Sequence, residues 1–337
     1  MRIYYIFLII SAILFGIQFF VTKKYTQYRG DTLKNTLWLS LLAYITIAIF
    51  FFIKSIISKG GEVVIKYTNF TFLMALGASI VTLGCIIIDL KVLLVGNMSL
   101  FSIFMQLGSI ILPTLVGLIF FKEELSVLRW IALILMILSL FLSFNKDKTK
   151  RSKKAIIYYI AIFFLNGLIG VFFSIHQHYP ELTANYSLVN GTYNIDSDLF
   201  MFYYALCMIS LSAVLYLFII LKNRYFSKKE ESINKINLEK DTNNDYPLSN
   251  NNKIILILAI LIIPIIYGIC NGLGNYFIVY STSPGRLMNA LTYPIVNGGS
   301  ILVSTIFGIL LFKEKIKWNN IVQIVVILSS LIMFVFG

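Results

Sequence analysis

The chain alternates between apolar runs about as long as a bilayer is thick and short polar clusters that cannot cross lipid. Ten runs, roughly 3–22, 35–57, 69–90, 97–120, 127–144, 155–176, 199–221, 254–280, 287–311 and 319–336, predict ten membrane-spanning helices. The first run follows Met1-Arg2 and reads as a span, being longer than a signal-peptide core. Two connections are longer than the rest. Residues 177–198 carry Asn, Tyr and acidic residues without Lys or Arg. Residues 222–253 are rich in Lys, Glu and Asn and are expected to form a flexible loop.

The pattern occurs twice. A shift of 191 positions lays Gln106-Leu-Gly-Ser-Ile-Ile-Leu-Pro-Thr on Asn297-Gly-Gly-Ser-Ile-Leu-Val-Ser-Thr, Gly117 on Gly308, and Phe121-Lys-Glu on Phe312-Lys-Glu. Ser139-Leu meets Ser330-Leu without a gap, so an old duplication accounts for the match better than shared composition does. The division is expected to be 1–146, a basic linker 147–154, and 155–337. Five spans per half would make the second half enter the membrane from the opposite side. The expected fold is therefore all-α and integral to the membrane, with two inverted five-helix repeats.

Composition agrees. Hydrophobic residues form 58% of the chain and charged residues 13%, with a mean hydropathy of +0.85. A soluble domain carries about a quarter charged residues. The net charge of +13 sits in loops, where anionic lipid explains it and no nucleic-acid partner is implied. Of 28 Lys and Arg residues, 21 lie in the loops after odd-numbered spans and 6 in or beside those after even-numbered spans. The positive-inside rule then puts the odd loops in the cytoplasm and both termini outside. Cys85, Cys207 and Cys270 lie in apolar runs without metal spacing and are expected to be small core residues.

Two five-helix halves, each with a Gly-containing helix, a Phe-Lys-Glu turn and a closing helix, resemble the EamA-type transporters of the drug/metabolite transporter superfamily. The specific motifs are Gly117…Phe121-Lys122-Glu123, preceded by Pro113, and Gly308…Phe312-Lys313-Glu314. The resemblance implies a secondary carrier with a cavity between the halves, moving small metabolites or drugs. It also implies both termini in the cytoplasm, opposite to the charge count.

Candidate site residues come from polarity at depth. The helix after Met98 presents Met98, Ser102, Gln106, Ser109, Pro113 and Gly117 on one stripe, and its duplicate presents Asn289, Tyr293, Asn297, Ser300, Ser304 and Gly308. The small half of each stripe suits close helix packing. A side-chain amide in hydrocarbon must face protein or water, so Gln106, Asn289 and Asn297 are expected to look into a cavity, with Tyr293 beside them. Gln18 of the first span, Asn166 of the sixth and Asn271 of the eighth complete the predicted substrate site. Gly268 and Gly272 form a GxxxG beside Tyr267, Asn271 and Asn275. His176 and His178 face opposite sides of a helix end, so a shared metal is not expected; an interfacial position is.

No acidic or basic residue lies at the centre of a span, and no Walker A, His-Glu-x-x-His or Gly-x-Ser-x-Gly motif occurs. The sequence thus predicts a plasma-membrane carrier, without enzymatic activity, cofactor or metal, for a small uncharged or zwitterionic metabolite; a monomer is plausible. A hydrophobic drug exporter would use the same aromatic walls with fewer amides. A membrane enzyme or assembly factor would need an interfacial cluster, which only His176, His178 and Glu181 could begin.

Overall fold

A computed structural model describes residues 2–30, 32–58, 68–95, 98–142, 153–183, 186–189, 192–234, 250–312 and 318–337. Ten helices follow in order: α1 (Arg2–Arg29), α2 (Leu33–Ser58), α3 (Asn69–Val95), α4 (Met98–Ile119), α5 (Val127–Leu142), α6 (Lys153–His178), α7 (Ser197–Asn234), α8 (Asn250–Ser281), α9 (Asn289–Phe312) and α10 (Trp318–Phe336). Each predicted span holds one helix. Seven of them, α1, α2, α3, α6, α7, α8 and α9, are long and apolar enough to cross a membrane. The other three contain shorter apolar stretches, Ile103–Ile119, Val127–Leu142 and Ile321–Phe336. This is the make-up of an integral, multi-pass membrane protein.

The surface says the same. Along α5, Ile131, Ile134, Leu138 and Phe141 are exposed, while Ala132, Leu133, Met136 and Leu140 are buried. Helical spacing therefore sorts this helix into two apolar faces, and the outward one is suited to lipid rather than water.

The sequence reading needs correction at two connections. Helix α7 continues to Asn234, through residues expected to be loop; Lys and Glu are good helix formers, so the backbone runs on past the apolar segment. Residues 235–249 of that loop lie outside the described residues, as do positions 147–152 of the linker and the Lys313-Glu314 turn. The α6–α7 connection holds a 3-10 turn (Pro180–Leu182) and an antiparallel hairpin, β1 (Tyr186–Val189) with β2 (Thr192–Ile195). Val189 pairs with Thr192, leaving the two positions Asn190-Gly191 as the connection. Asn-Gly between β-prone residues is the strongest short-range hairpin signal, and the sequence reading passed over it.

Helices adjacent in sequence pack sparingly on one another. The extensive contacts all join residues before the linker to residues after it: α4 with α6, α9 with α1, α3 with α6, α8 with α1, α3 with α7, α8 with α2, and the reciprocal pairs α2–α7, α4–α9 and α5–α10. Exchanging α1–α5 with α6–α10 leaves this set unchanged.

Glycines sit where backbones approach most closely. A Cβ on Gly16 would overlap the Val303 side chain, and one on Gly167 would overlap Leu112. A Cβ on Gly299 would meet that of Ala12, and one on Gly108 the carbonyl of Phe163. Residues 112 and 303, like 108 and 299, are separated by 191; residues 16 and 167, like 12 and 163, by 151. Both α4–α6 and α9–α1 are thus held by matching small-residue contacts, the means by which helices pack where lipid competes equally for apolar surface. The GxxxG of α8 does the same, with Gly268 against the Ala43 backbone and Gly272 against Ile47 of α2.

Candidate functional site

A cavity of about 300 Å³ lies inside the bundle, walled by residues of α1–α4 and α6–α9. Six of the seven residues singled out in the sequence line it: Gln18, Gln106, Asn166, Asn271, Tyr293 and Asn297. Asn275 of α8, Phe15 of α1, Tyr44 of α2 and Phe173 of α6 share the wall. The lining contains no Asp, Glu, Lys, Arg or His.

The amides are held in fixed orientations. Asn166 Nδ2 donates to the Met105 carbonyl at 2.9 Å, tying α6 to α4. Asn297 Nδ2 donates to the carbonyls of Tyr293 at 2.9 Å and Ser109 at 3.3 Å, tying α9 to α4. Asn271 Nδ2 donates to Gln18 Oε1 at 3.2 Å, and Asn275 Nδ2 to the Asn271 carbonyl at 2.9 Å. A backbone carbonyl only accepts, so the bonds to Met105, Tyr293, Ser109 and Asn271 fix which side of Asn166, Asn297 and Asn275 is nitrogen.

Tyr44 and Tyr204 meet across the α2–α7 contact with their hydroxyls 3.0 Å apart, and Tyr204 reaches Thr82 Oγ1 at 2.9 Å. The sequence reading did not find this pair. Tyrosines are common in membrane proteins and carry no periodic mark that separates cavity from belt.

Asn289 belongs elsewhere. It is the first residue of α9, 2% exposed, and does not line the cavity. Its stripe is continuous with Asn297, but it lies two turns away at the helix start, where amides are engaged by the chain before them. Glu123 is the partner: Oε1 accepts from Asn289 N and Nδ2, both at 2.8 Å, and Oε2 from Ala290 N at 2.8 Å. A carboxylate at a helix N-terminus satisfies orphan donors and complements the helix dipole.

The Phe-Lys-Glu turn makes this possible. Glu123 N donates to the Gly117 carbonyl at 3.0 Å, and Lys122 takes a left-handed φ of 54°, which turns the chain back on itself. Gly117 is there for room, since a Cβ would overlap the Glu123 carboxylate and sit 3.2 Å from Asn289 Cβ. The sequence reading assigned Gly117 to helix packing; it packs on its own turn's carboxylate as well as on α9. The surroundings of Gly308, its mate within α9, and the side chains of Met98 and Ser102 are outside the description.

Further polar contacts cluster at the same end of the bundle, where α2, α6 and α8 finish and α7 and α9 begin. Lys54 Nζ lies 2.5 Å from Asp198 Oδ1, 2.9 Å from the Tyr276 hydroxyl and 4.1 Å from that ring's centroid. His176 is buried within the bundle: it is 1% exposed, stacked on Phe200 at 4.0 Å, with Nε2 3.2 Å from Thr71 Oγ1 and Nδ1 3.0 Å from Gln177 Nε2. Ser283 donates to Gln177 Oε1 at 2.8 Å. His178 stacks on Phe121 with centroids 3.7 Å apart. Toward the opposite end, the cavity lining runs out to Thr22 and Thr36, near the α1–α2 corner. The three cysteines are buried and form no disulfide, and no group of three His, Cys, Asp or Glu side chains among the described residues could hold a metal ion.

No known protein-family profile matches the chain, and no curated protein matches it. One solved structure, described only as "Crystal structure of protein", superposes with a TM-score of 0.64 over 98% of this chain and 96% of its own, at 12% identity. The likeness is one of fold over the whole length.

Proposed function

We propose that the protein is a secondary carrier of a small uncharged or zwitterionic metabolite, working by alternating access in the plasma membrane. The observation that carries this reading is the cavity: it is central, walled by helices from before and after the linker, set with amides and hydroxyls among apolar side chains, and free of charged ones. Such a site suits a ligand whose polar groups would otherwise enter hydrocarbon unpaired.

In this reading all ten helices span the bilayer, and the halves are inverted repeats of EamA type. The exchange-symmetric helix pairing and the matched glycine contacts, at shifts of 191 and 151, support the repeat. The Tyr44–Tyr204 pair would then lie near the pseudo-two-fold axis. Alternating access follows from rocking one half against the other about their shared contacts. The clasp formed by Glu123, Lys54–Asp198 and Thr71–His176 joins the halves at one end. The cavity reaches toward the other end, where the positively charged loops lie. With those loops in the cytoplasm, this is the inward-facing arrangement.

A hydrophobic drug exporter is the second reading, favoured by the aromatic side chains of the wall. Reconstitution of the purified protein in liposomes tests both. Flux of a polar metabolite that is lost in Asn297→Leu, with the variant still folded, is the expected result. Absence of flux for metabolites and drugs alike would refute a carrier.

A further inference from the structure

Where a hydrogen bond in the cavity wall leads to a backbone carbonyl its direction is fixed, and these directions constrain the ligand. Hydroxyls of Thr22, Thr82, Ser109, Ser300 and Tyr293 each donate to a backbone carbonyl, those of Gln18, Ala78, Gln106, Asn297 and Gly170 respectively, at 2.8–2.9 Å. A hydroxyl has one proton, so none of these groups can donate further; Thr22, Ser109 and Ser300 keep acceptor capacity, while Tyr293 already accepts from Ser174 Oγ at 3.2 Å.

The tyrosine pair follows. Because the Thr82 proton goes to Ala78, Thr82 must accept from Tyr204; Tyr204, having donated, must accept from Tyr44. The chain runs one way, Tyr44 to Tyr204 to Thr82 to Ala78, and uses every proton in it. The amides add to the same surplus. Both N–H groups of Asn297, and one each of Asn166 and Asn275, donate to backbone carbonyls. Their Oδ1 atoms engage no donor among the described residues, and all three side chains are partly open inside the bundle. Against these acceptors the unspent amide protons are those on Nε2 of Gln18 and Gln106 and one each on Asn166 and Asn271.

Resting on the carrier reading of this cavity, the geometry points to a ligand held through its own N–H and O–H donors: a small neutral or singly cationic amine, amide or alcohol without a free carboxylate or phosphate. A carboxylate would need several converging donors or a basic side chain. This wall has no basic residue, and its spare amide N–H groups are dispersed over α1, α4, α6 and α8. A donor-bearing ligand meets the opposite situation, since each of its protons finds a fixed oxygen. The rings of Phe15, Phe173 and Tyr204 offer faces to an apolar body and tolerate an adjacent ammonium.

Matched ligand pairs on the purified full chain test this, with binding read as thermal stabilisation across a concentration series. Benzylamine and benzoate, tryptamine and indole-3-acetate, and cyclohexylmethylamine and cyclohexanecarboxylate share bodies and differ in the group presented. The amine of at least one pair should bind with an apparent Kd at least tenfold lower than its carboxylate, and N,N-dimethylation of that amine should weaken binding at least fivefold. Equal or tighter binding of the carboxylates, or no stabilisation by any of the six, overturns the inference. The carrier reading fails separately: amine binding without flux in liposomes would keep the ligand chemistry and discard transport.

Discussion

Replacing Glu123 with Gln keeps the size of the side chain and tests the clasp at the start of α9. The carboxylate accepts three hydrogen bonds, all at 2.8 Å, from two backbone N–H groups and the Asn289 amide. A primary amide has one oxygen, so Gln at this position keeps at most the two bonds made to Oε1 and turns an N–H toward the N–H of Ala290. One hydrogen bond to a charged group is lost, about 1.5–3 kcal/mol, together with the charge–dipole attraction at a helix N-terminus, about 0.3–1 kcal/mol. Glu123 is half-exposed, so the lower part of the combined range, about 2 kcal/mol, is the better figure. At about 1.4 kcal/mol per factor of ten, the first turn of α9 should open roughly 30-fold more often. Hydrogen exchange of a peptide covering residues 287–296 reads this directly, and its amides should exchange roughly 30-fold faster in E123Q. Gly117→Ala should act the same way, because the added Cβ displaces the carboxylate, and the double variant should be little worse than either alone. Exchange within about threefold of the parent in E123Q, or full additivity in the double variant, would refute the reasoning.

Other consequences can be checked alongside. Lys54→Met leaves Asp198 buried without its cation, so it should lower the unfolding temperature in detergent more than the double change K54M/D198N does; the reverse order would mean that the pair contributes nothing. Gly16→Val and Gly167→Val place side chains into equivalent contacts with α9 and α4, and each should destabilise by about 1–3 kcal/mol, seen as earlier thermal unfolding. If one is tolerated and the other is not, the two contacts are not counterparts.

Much of the helix count was legible because apolar runs of bilayer length are hard to produce by chance. Helix ends were less so: α1 runs on to Arg29 and α7 to Asn234, where propensity rather than hydropathy keeps the backbone helical. The 191-residue shift showed in sequence because Gly, Ser and Lys-Glu recur in both copies. The 151-residue shift between α1 and α6 did not, since Ala12 answers to Phe163 there and, besides Gly16 with Gly167, the coincidences are aliphatic residues and a tyrosine that composition alone would supply. Amides such as Gln106 and Asn166 betrayed the cavity because they cannot rest in hydrocarbon. Asn289 misled for the same reason, its partner being a carboxylate 166 residues earlier. Lys54, which no motif singled out, and His176, expected at the interface, owe their contacts to neighbours that no local pattern names.

The cross-half pairing of helices has a consequence for how the chain is made. Among the described residues the extensive contacts of α1 are with α8 and α9, and at about 5–20 residues per second α9 begins to emerge some 10–50 s after α1 is complete. Until then the apolar helices of the first half wait with Gly16, Ala12 and the amide of Gln18 without the partners they meet in the finished fold. Biogenesis therefore includes an obligatory waiting period, during which an early half is inserted yet unassembled and is a natural client for membrane chaperones and quality-control proteases. The same interleaving means that two separately translated pieces, cut within the linker, can complete each other in one membrane, whereas neither alone has a partner for its inward faces.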